Sequence, residues 1–373
     1  MRKLTFIILC LEGAVLSFNV AACAALIPSI AGDFGVEFFV AGRIVWLYML
    51  PYGVAALFYG PLANMFDAKR IELVCFFLFS AANLLAALSP TLDMLFLARF
   101  LMGIFGASVV PLILILIGHS VEAKNRGKLV GIFFSATFVA SLAGLFSSGI
   151  MPWRMIFLIP AIIGFIVWLL MYLWLPSCVV QRSSRKIPYM TVLRDKTIIS
   201  IFAYIFFVSL FYHGIQQWLS VYFAATFSMN QFLISMLITL TSLSGIFGEA
   251  IGGWLSDILG RRKTADVGIA LMIISAFLLL VKSPLAILVL LMLVWGLGWT
   301  FNHAGISAAL TDLPKNMLNE AASLNSGVRF IAGACGVVFS GWLMHKSFML
   351  GFITLGSGLA GLLFTSRYFV VKT

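Results

Sequence analysis

The sequence predicts an all-α integral membrane protein with twelve transmembrane helices, arranged as two parallel six-helix repeats. Three observations support this fold class: the composition, the long apolar runs and an internal repeat. Of the 373 residues, 62% are apolar and only 10% are charged, whereas soluble domains carry about 25% charged residues. A run of about 20 apolar residues is long enough to cross a bilayer as a helix. The composition therefore excludes a soluble enzyme, a nucleic-acid-binding domain and a disordered tail.

Charged residues and clusters of Pro and Gly divide the apolar sequence into twelve candidate spans. The only long polar stretch is 177–197, which we expect to link an N-terminal bundle, 1–176, to a C-terminal bundle, 198–373. The predicted spans are 4–30, 41–66, 71–89, 92–118, 127–150, 153–176, 198–227, 231–256, 265–282, 284–310, 318–344 and 347–370.

The distribution of cations predicts the topology. If both termini and the loops after even-numbered spans face the cytoplasm, that side collects 18 of the 24 Lys and Arg residues. These are Arg2, Lys3, Lys69, Arg70, Lys124, Arg126, Lys128, Arg182, Arg185, Lys186, Arg194, Lys196, Arg261, Arg262, Lys263, Lys315, Arg367 and Lys372. Because cytoplasmic loops are enriched in Lys and Arg, we expect an inner-membrane protein with both termini inside.

Short motifs recur at an offset of 193 residues. The segment 60–64 (GPLAN) corresponds to 253–257 (GWLSD), since 253 − 60 = 193, and Gly103 corresponds to Gly296 in the same way. Alignment at this offset also pairs Ala143 with Gly336. A constant offset of this length indicates parallel repeats. Residues 1–24 also resemble a signal peptide, but its removal would leave five spans against six, so we expect the first span to be retained.

The loop after the eighth span carries the strongest motif. An acidic residue at a helix end, a tight glycine turn and three cations can bridge neighbouring helix ends and hold one conformation. An ordinary positively charged loop would explain the cations but not the acidic residue or the glycines. The candidate gating residues are Gly253, Asp257, Gly260, Arg261, Arg262 and Lys263, together with Arg329 in the eleventh span.

These motifs resemble the major facilitator superfamily, whose loop between helices 2 and 3 reads G-x-L-[AS]-D-[RK]-x-G-R-[RK]-[RK], with a copy between helices 8 and 9. The copy in the first half has Asn64 and Asp67 in place of the Asp and the later Gly. The segment beginning at Arg99 resembles a second family motif, in which an intramembrane Arg supports proton transfer. The resemblance implies a secondary transporter similar to the drug:proton antiporter branch, although the helix 5 signature of exporters is degraded around Gly144.

Ionisable residues inside the bilayer are costly and are therefore candidates for function. Glu12 and Asn19 share one face of the first span, and a carboxyl group in apolar surroundings can hold a proton near neutral pH. Glu12 is the leading candidate for proton coupling, with a structural pair to Arg329 as the alternative. Glu249 and Arg99 are further candidates for coupling, and Glu249 could instead pair with a cation.

Two faces with polar and aromatic residues, on the seventh and tenth spans, are candidates for the substrate cavity. A stripe of His and Gln facing lipid would leave its donors unsatisfied, and aromatic groups with a few polar ones suit an amphipathic ligand. Packing inside the bundle is an almost equally good interpretation. The candidate cavity residues are Asn19, Tyr48, Tyr52, His213, Gln216, Gln217, Trp218, Trp299, Asn302 and His303.

The expected function is proton-coupled export of amphipathic or hydrophobic organic molecules by alternating access. The alternatives are a symporter or facilitator that imports a small metabolite, and a non-transporting scaffold or sensor of the same fold. The five cysteines form no CxxC motif or Cys/His cluster, so the sequence predicts no metal site. We expect no enzymatic activity, no cofactor and no nucleic-acid partner. The expected partners are a small organic substrate, protons and membrane lipid, and the expected state is a monomer.

Overall fold

The described part of the chain is built from α-helices, as the sequence predicted. The structure is a computed structural model that describes residues 3–176, 195–312 and 318–369. Those residues contain no β-strand. The contacts divide the chain into two compact units, Met1–Lys186 and Ile187–Thr373. Most of the predicted linker 177–197 lies outside the described residues.

The first unit contains six long helices in chain order. Helix α1 consists of two α-helical parts joined by the 3-10 turn Cys23–Leu26, and α4 also has two parts. The helices are α1 (Lys3–Ala22 and Ile27–Phe34), α2 (Arg43–Met65), α3 (Ala68–Ala87), α4 (Leu92–Gly106 and Val109–Ser120), α5 (Ala123–Ser148) and α6 (Trp153–Trp174).

The second unit repeats this organisation. Its first helix is interrupted near its middle by a turn at 217–218. The helices are α7 (Lys196–Gln216 and Leu219–Phe227), α8 (Gln231–Leu259), α9 (Arg261–Leu278), α10 (Leu285–Thr311), α11 (Leu318–Lys346) and α12 (Phe348–Phe369).

Eleven helices in the described residues are long and apolar enough to cross a membrane, and α9 falls short of this criterion. The sequence placed the ninth span at 265–282, but the helix begins at Arg261 and ends at Leu278. It begins earlier because Gly260 ends α8 with a positive φ of 91° and α9 starts at the next residue. The first two turns of α9 therefore contain charged residues, which shorten its apolar part.

The two units share a close approach between their second and fourth helices. A Cβ added to Gly103 would lie 2.4 Å from the carbonyl oxygen of Tyr48, and one added to Gly296 would lie 2.1 Å from that of Thr241. Both pairs are separated by 193 residues (296 − 103 and 241 − 48). At these positions the structure agrees with the offset found in the sequence.

A second shared approach, between the first and fifth helices of each unit, corrects the predicted alignment. A Cβ on Gly144 would lie 1.8 Å from the carbonyl oxygen of Phe18, and one on Gly336 would lie 2.1 Å from that of Leu210. The offset here is 192 residues (336 − 144 and 210 − 18), so Gly336 corresponds to Gly144 and not to Ala143. The close backbone contact, which leaves no room for a Cβ at Gly144 or Gly336, fixes the alignment at these positions.

Arg154 joins three segments at one end of the first unit. Its guanidinium donates to Asp33 at 3.1 Å and to the carbonyl oxygens of Ala87 and Ser89 at 3.2 and 2.8 Å. The indole of Trp153 donates to the same carboxyl group at 3.1 Å. The first turn of α6 is thereby fixed against the end of α1 and the connection between α3 and α4.

Candidate functional site

A pair of buried carboxyl groups lies inside the first unit. Glu12 of α1 and Glu72 of α3 are both 0% exposed, and their carboxyl groups are close enough to interact electrostatically. In the described part of the chain, neither carboxyl receives a hydrogen bond from an N–H or O–H donor or forms an ion pair with a cation. Glu12 was predicted from the sequence, whereas Glu72 was not.

Weakly polar groups border the Glu12–Glu72 pair. The Ser108 hydroxyl lies beside Glu72 and donates to the carbonyl oxygen of Phe105 at 2.9 Å. The Cys75 thiol donates to the Tyr59 hydroxyl at 3.5 Å, and that hydroxyl donates to the carbonyl oxygen of Ile104 at 2.9 Å. These groups can reorient to solvate a carboxyl group without supplying a compensating positive charge.

Two other candidates in the first unit are packed in its interior. Asn19 is fully buried and donates a hydrogen bond from its side-chain amide to that of Asn83 in α3. Arg99 is 1% exposed, donates from Nε to the carbonyl oxygen of Ile44 at 3.0 Å and lies 4.4 Å from the ring centroid of Tyr48. Tyr48 stacks obliquely on Tyr52 at 5.5 Å. The predicted cavity role of these residues stays a prediction.

An aromatic stack forms the centre of the second unit's candidate site. The ring of Tyr212 lies 3.9 Å from that of Trp299 with an interplanar angle of 10°, and 5.3 Å from that of Trp295. Gln216 fixes the stack, since its Oε1 accepts from the Trp295 indole at 2.7 Å and its amide donates to Thr241 at 3.2 Å. Tyr212 was missed by the sequence analysis, because nothing in the sequence distinguishes it from other aromatic residues in the spans.

Half-buried polar side chains surround this stack. The ring of His213 meets that of Trp299 edge-on at 5.6 Å, and the side-chain amide of Gln217 lies 3.4 Å from His213 Nδ1. On the other side, His303 Nδ1 lies 2.7 Å from Glu249 Oε1. The structure therefore brings together six of the predicted site residues on α7, α8 and α10, namely His213, Gln216, Gln217, Glu249, Trp299 and His303.

Two predicted cavity residues of the second unit are buried and bonded instead. Asn302 is 0% exposed and donates to the Tyr204 hydroxyl at 2.5 Å and to the carbonyl oxygen of Ala265 at 3.2 Å. Trp218 donates from its indole to the carbonyl oxygen of Val337 at 3.0 Å. Both side chains join neighbouring helices within the unit.

The loop between α8 and α9 forms a charged cluster. Arg261 donates to Asp257 at 2.6 Å, to Asp312 at 3.1 Å and to the Ser256 hydroxyl at 3.2 Å. These hydrogen bonds, first to Asp257 and then to Asp312, raise the pKa of the Arg261 guanidinium. Since Asp312 directly follows α10, Arg261 joins the ends of α8, α9 and α10.

The remaining residues of the predicted loop motif have different environments. Gly260 has φ 91° and ψ 155°, a conformation that is essentially restricted to glycine. Arg262 lies 3.8 Å from Asp266 on its own helix, and Lys263 is exposed. A Cβ on Gly253 would meet no atom within 4 Å, so close packing in the described structure does not explain that glycine.

The corresponding loop of the first unit is built differently. Asp67 accepts a hydrogen bond from the Lys69 backbone amide at 3.0 Å and so caps the N-terminus of α3. Its φ of −61° requires no glycine. The side chain of Asn64 lies outside the described residues.

We predict that Asp312→Asn changes transport rate much more than stability. Ion pairs that are partly exposed contribute about 1 kcal/mol or less to folding, so the melting temperature should barely move. Loss of the bridge should alter transport several-fold if Arg261 holds one conformation. The measurement is initial transport rate in proteoliposomes, with Arg367→Gln, a change at an exposed arginine of the same unit, as the matched control. A rate equal to wild type in Asp312→Asn would exclude a gating role for this bridge.

Two units of six helices, with carboxyl and guanidinium groups buried among apolar side chains, define a polytopic α-helical membrane protein of the transporter class. The chain belongs to the major facilitator superfamily, whose family model matches residues 9–337. This match confirms the family and fold that the sequence predicted, and it indicates a transporter and not an enzyme.

Similar proteins include transporters of small organic molecules. The chain is 24% identical to the riboflavin transporter RibZ of Clostridioides difficile, over 88% of this chain and 84% of that protein. It is also 24% identical to the purine ribonucleoside efflux pump NepI of Salmonella paratyphi B, over 92% of this chain and 90% of that one. A crystal structure of a bacterial homologue of the human lysosomal transporter Spinster has the same fold, with a TM-score of 0.79 and 13% identity over 99% of this chain and 98% of that chain.

Proposed function

We propose that this protein is a proton-coupled secondary transporter that exports amphipathic or hydrophobic organic molecules by alternating access. The Glu12–Glu72 pair carries the proposal. Two adjacent carboxylates without a cation cannot both stay ionised in a low-dielectric interior, because repulsion and desolvation both oppose the doubly charged state. The pair therefore retains a proton in this conformation, and a rearrangement that hydrates or separates the two groups would release it.

The second unit supports an amphipathic cargo. Its half-buried side chains combine a tryptophan with imidazole, amide and carboxyl groups, the mixture expected of a site for an organic molecule with polar substituents. The relatives named for riboflavin and for purine ribonucleosides move molecules of this kind, and one of them is an efflux pump. These similarities favour export over import.

We place the protein in the inner membrane with both termini in the cytoplasm, because this orientation puts most Lys and Arg residues inside. The Arg261 cluster then lies on the cytoplasmic face, where it could hold the ends of α8, α9 and α10 together. Arg99 would act as a buried positive charge that supports the first unit's conformation.

The proposal is tested with purified protein reconstituted into liposomes, by following riboflavin and inosine flux under an imposed proton gradient. We expect accumulation against the cargo gradient that disappears when an uncoupler is added. Flux that is equal with and without the gradient would indicate a facilitator. Absence of flux for any cargo that binds would indicate the non-transporting scaffold or sensor.

A further inference from the structure

Arg329 of α11 has hydrogen-bond donors without partners. Its side chain is nine-tenths buried, and Nε donates to the Asn325 side chain at 2.9 Å. Among the described residues, neither Nη1 nor Nη2 has a hydrogen-bond partner. Buried donors without an acceptor are costly, and a guanidinium presents its donors as a planar fork. Nη1 and Nη2 of Arg329 are therefore available to donate hydrogen bonds to acceptor atoms of a ligand.

The guanidinium lies over part of the Trp299 ring. Its Cζ is 5.6 Å from the ring centroid of Trp299. One face of that ring is covered by Tyr212, yet the side chain as a whole is only half-buried. A second planar ring could therefore stack against the part of Trp299 that neither Tyr212 nor Arg329 covers, with the guanidinium near its edge.

The charge of Arg329 is already partly balanced. Glu249 is near enough to attract it electrostatically, although the described structure has no ion pair between them within 4 Å. The carboxyl group of Glu249 is instead 2.7 Å from His303. What Arg329 lacks is an acceptor in the correct place, and not a counter-charge. A neutral ligand with a carbonyl acceptor meets this requirement better than an anion does.

We propose that Arg329 and Trp299 form a binding site for a neutral planar heteroaromatic ring with a carbonyl acceptor on its edge. The ring stacks against the aromatic cluster, and the acceptor receives hydrogen bonds from the Arg329 fork. This inference deepens the proposed function by defining the class of cargo, and it rests on that function only for the assumption that the bound ligand is transported.

The first test uses two nucleosides that differ at the carbonyl position of the purine ring. Inosine carries an exocyclic carbonyl next to a ring N–H, and purine riboside has the same ring system and sugar with no exocyclic oxygen and an unprotonated nitrogen at that ring position. We expect the full-length, detergent-solubilised protein to bind inosine about tenfold more tightly by titration calorimetry, since hydrogen bonds to charged groups contribute roughly this much. Equal affinity for the two ligands, or tighter binding of an aromatic carboxylate such as 2-naphthoate, would overturn the proposal.

The second test uses variants. Arg329→Gln should reduce the inosine to purine riboside affinity ratio to about one, because the charged fork is lost. Trp299→Leu should weaken both ligands equally, because stacking does not depend on the carbonyl. Arg367→Gln, a change at an exposed arginine of the same unit, should leave the ratio unchanged.

Arg329→Lys covers the possibility that the glutamine variant does not fold. It keeps the charge and should also lose most of the discrimination, because an ammonium lacks the planar fork. A folded lysine or glutamine variant that retains the full ratio would exclude Arg329 as the acceptor-binding group. Because the readout is equilibrium binding, it separates this inference from the proposed function. The expected affinity ratio of inosine to purine riboside could be found in a protein that does not couple transport to protons. Conversely, proton-coupled transport could be found for a cargo of another chemical class.

Discussion

Glu12→Gln is expected to abolish proton release on cargo binding and concentrative export, while cargo affinity is retained. Glutamine has the shape of a protonated glutamate, and its side-chain amide can donate a hydrogen bond to the Glu72 carboxylate. The pair would then be fixed in an arrangement that contains no exchangeable proton. Glu72→Gln should have the same effect, because the proton is shared and either substitution removes one member of the pair.

The measurement is proton release by detergent-solubilised protein as riboflavin, inosine and lipophilic cations are added, followed by transport in proteoliposomes. Asp93→Asn is the matched control, since this carboxyl group of the same unit is exposed near the start of α4. It should release protons as wild type does. Normal release in Glu12→Gln would assign coupling to another group, and Glu249 with His303 would be the next candidate. Loss in Glu12→Gln but not in Glu72→Gln would show that Glu12 acts alone.

The fold could be predicted from the sequence because hydropathy and the positive-inside distribution act over whole helices. Errors of a few residues at helix ends do not change the number of spans. Those same errors matter for single side chains. Helix α3 begins at Ala68, whereas the sequence placed the span at 71–89. Glu72 therefore lies almost one turn further inside the helix than the predicted span placed it, and it was not among the candidates predicted from the sequence.

The candidate site could be predicted only in part, since side-chain partners depend on how each helix is rotated against its neighbours. The pattern placed Glu12, His213 and Trp299 among the candidates because polar groups and tryptophans stand out in apolar spans. It could not identify Tyr212, whose importance comes from its stack with Trp299. Nor could it distinguish Asn302, which is buried and bonded to Tyr204, from a residue that lines a cavity.

Gly144→Ala is expected to prevent stable folding of the first unit. Its new Cβ would lie 1.8 Å from the carbonyl oxygen of Phe18, a backbone atom that can move only if α1 moves as a whole. Overpacking costs about 1–3 kcal/mol and occasionally more, and a contact with a fixed backbone atom belongs at the upper end of that range. We expect a lower melting temperature and a loss of monodisperse protein, measured by tryptophan fluorescence and size-exclusion chromatography.

Gly131→Ala is the matched control, because it changes a glycine of the same helix where an added Cβ meets no atom within 4 Å. An exposed alanine favours a helix by up to about 1 kcal/mol relative to glycine, so this variant should be at least as stable as wild type. Gly336→Ala should lower the melting temperature as Gly144→Ala does, since its Cβ would lie 2.1 Å from the carbonyl oxygen of Leu210. If Gly144→Ala melts like Gly131→Ala, the close approach of α1 and α5 is not what requires the glycine. If Gly336→Ala is tolerated and Gly144→Ala is not, the two units are not equivalent at this contact. Gly144 and Gly336 would then occupy corresponding positions without contributing equally to stability.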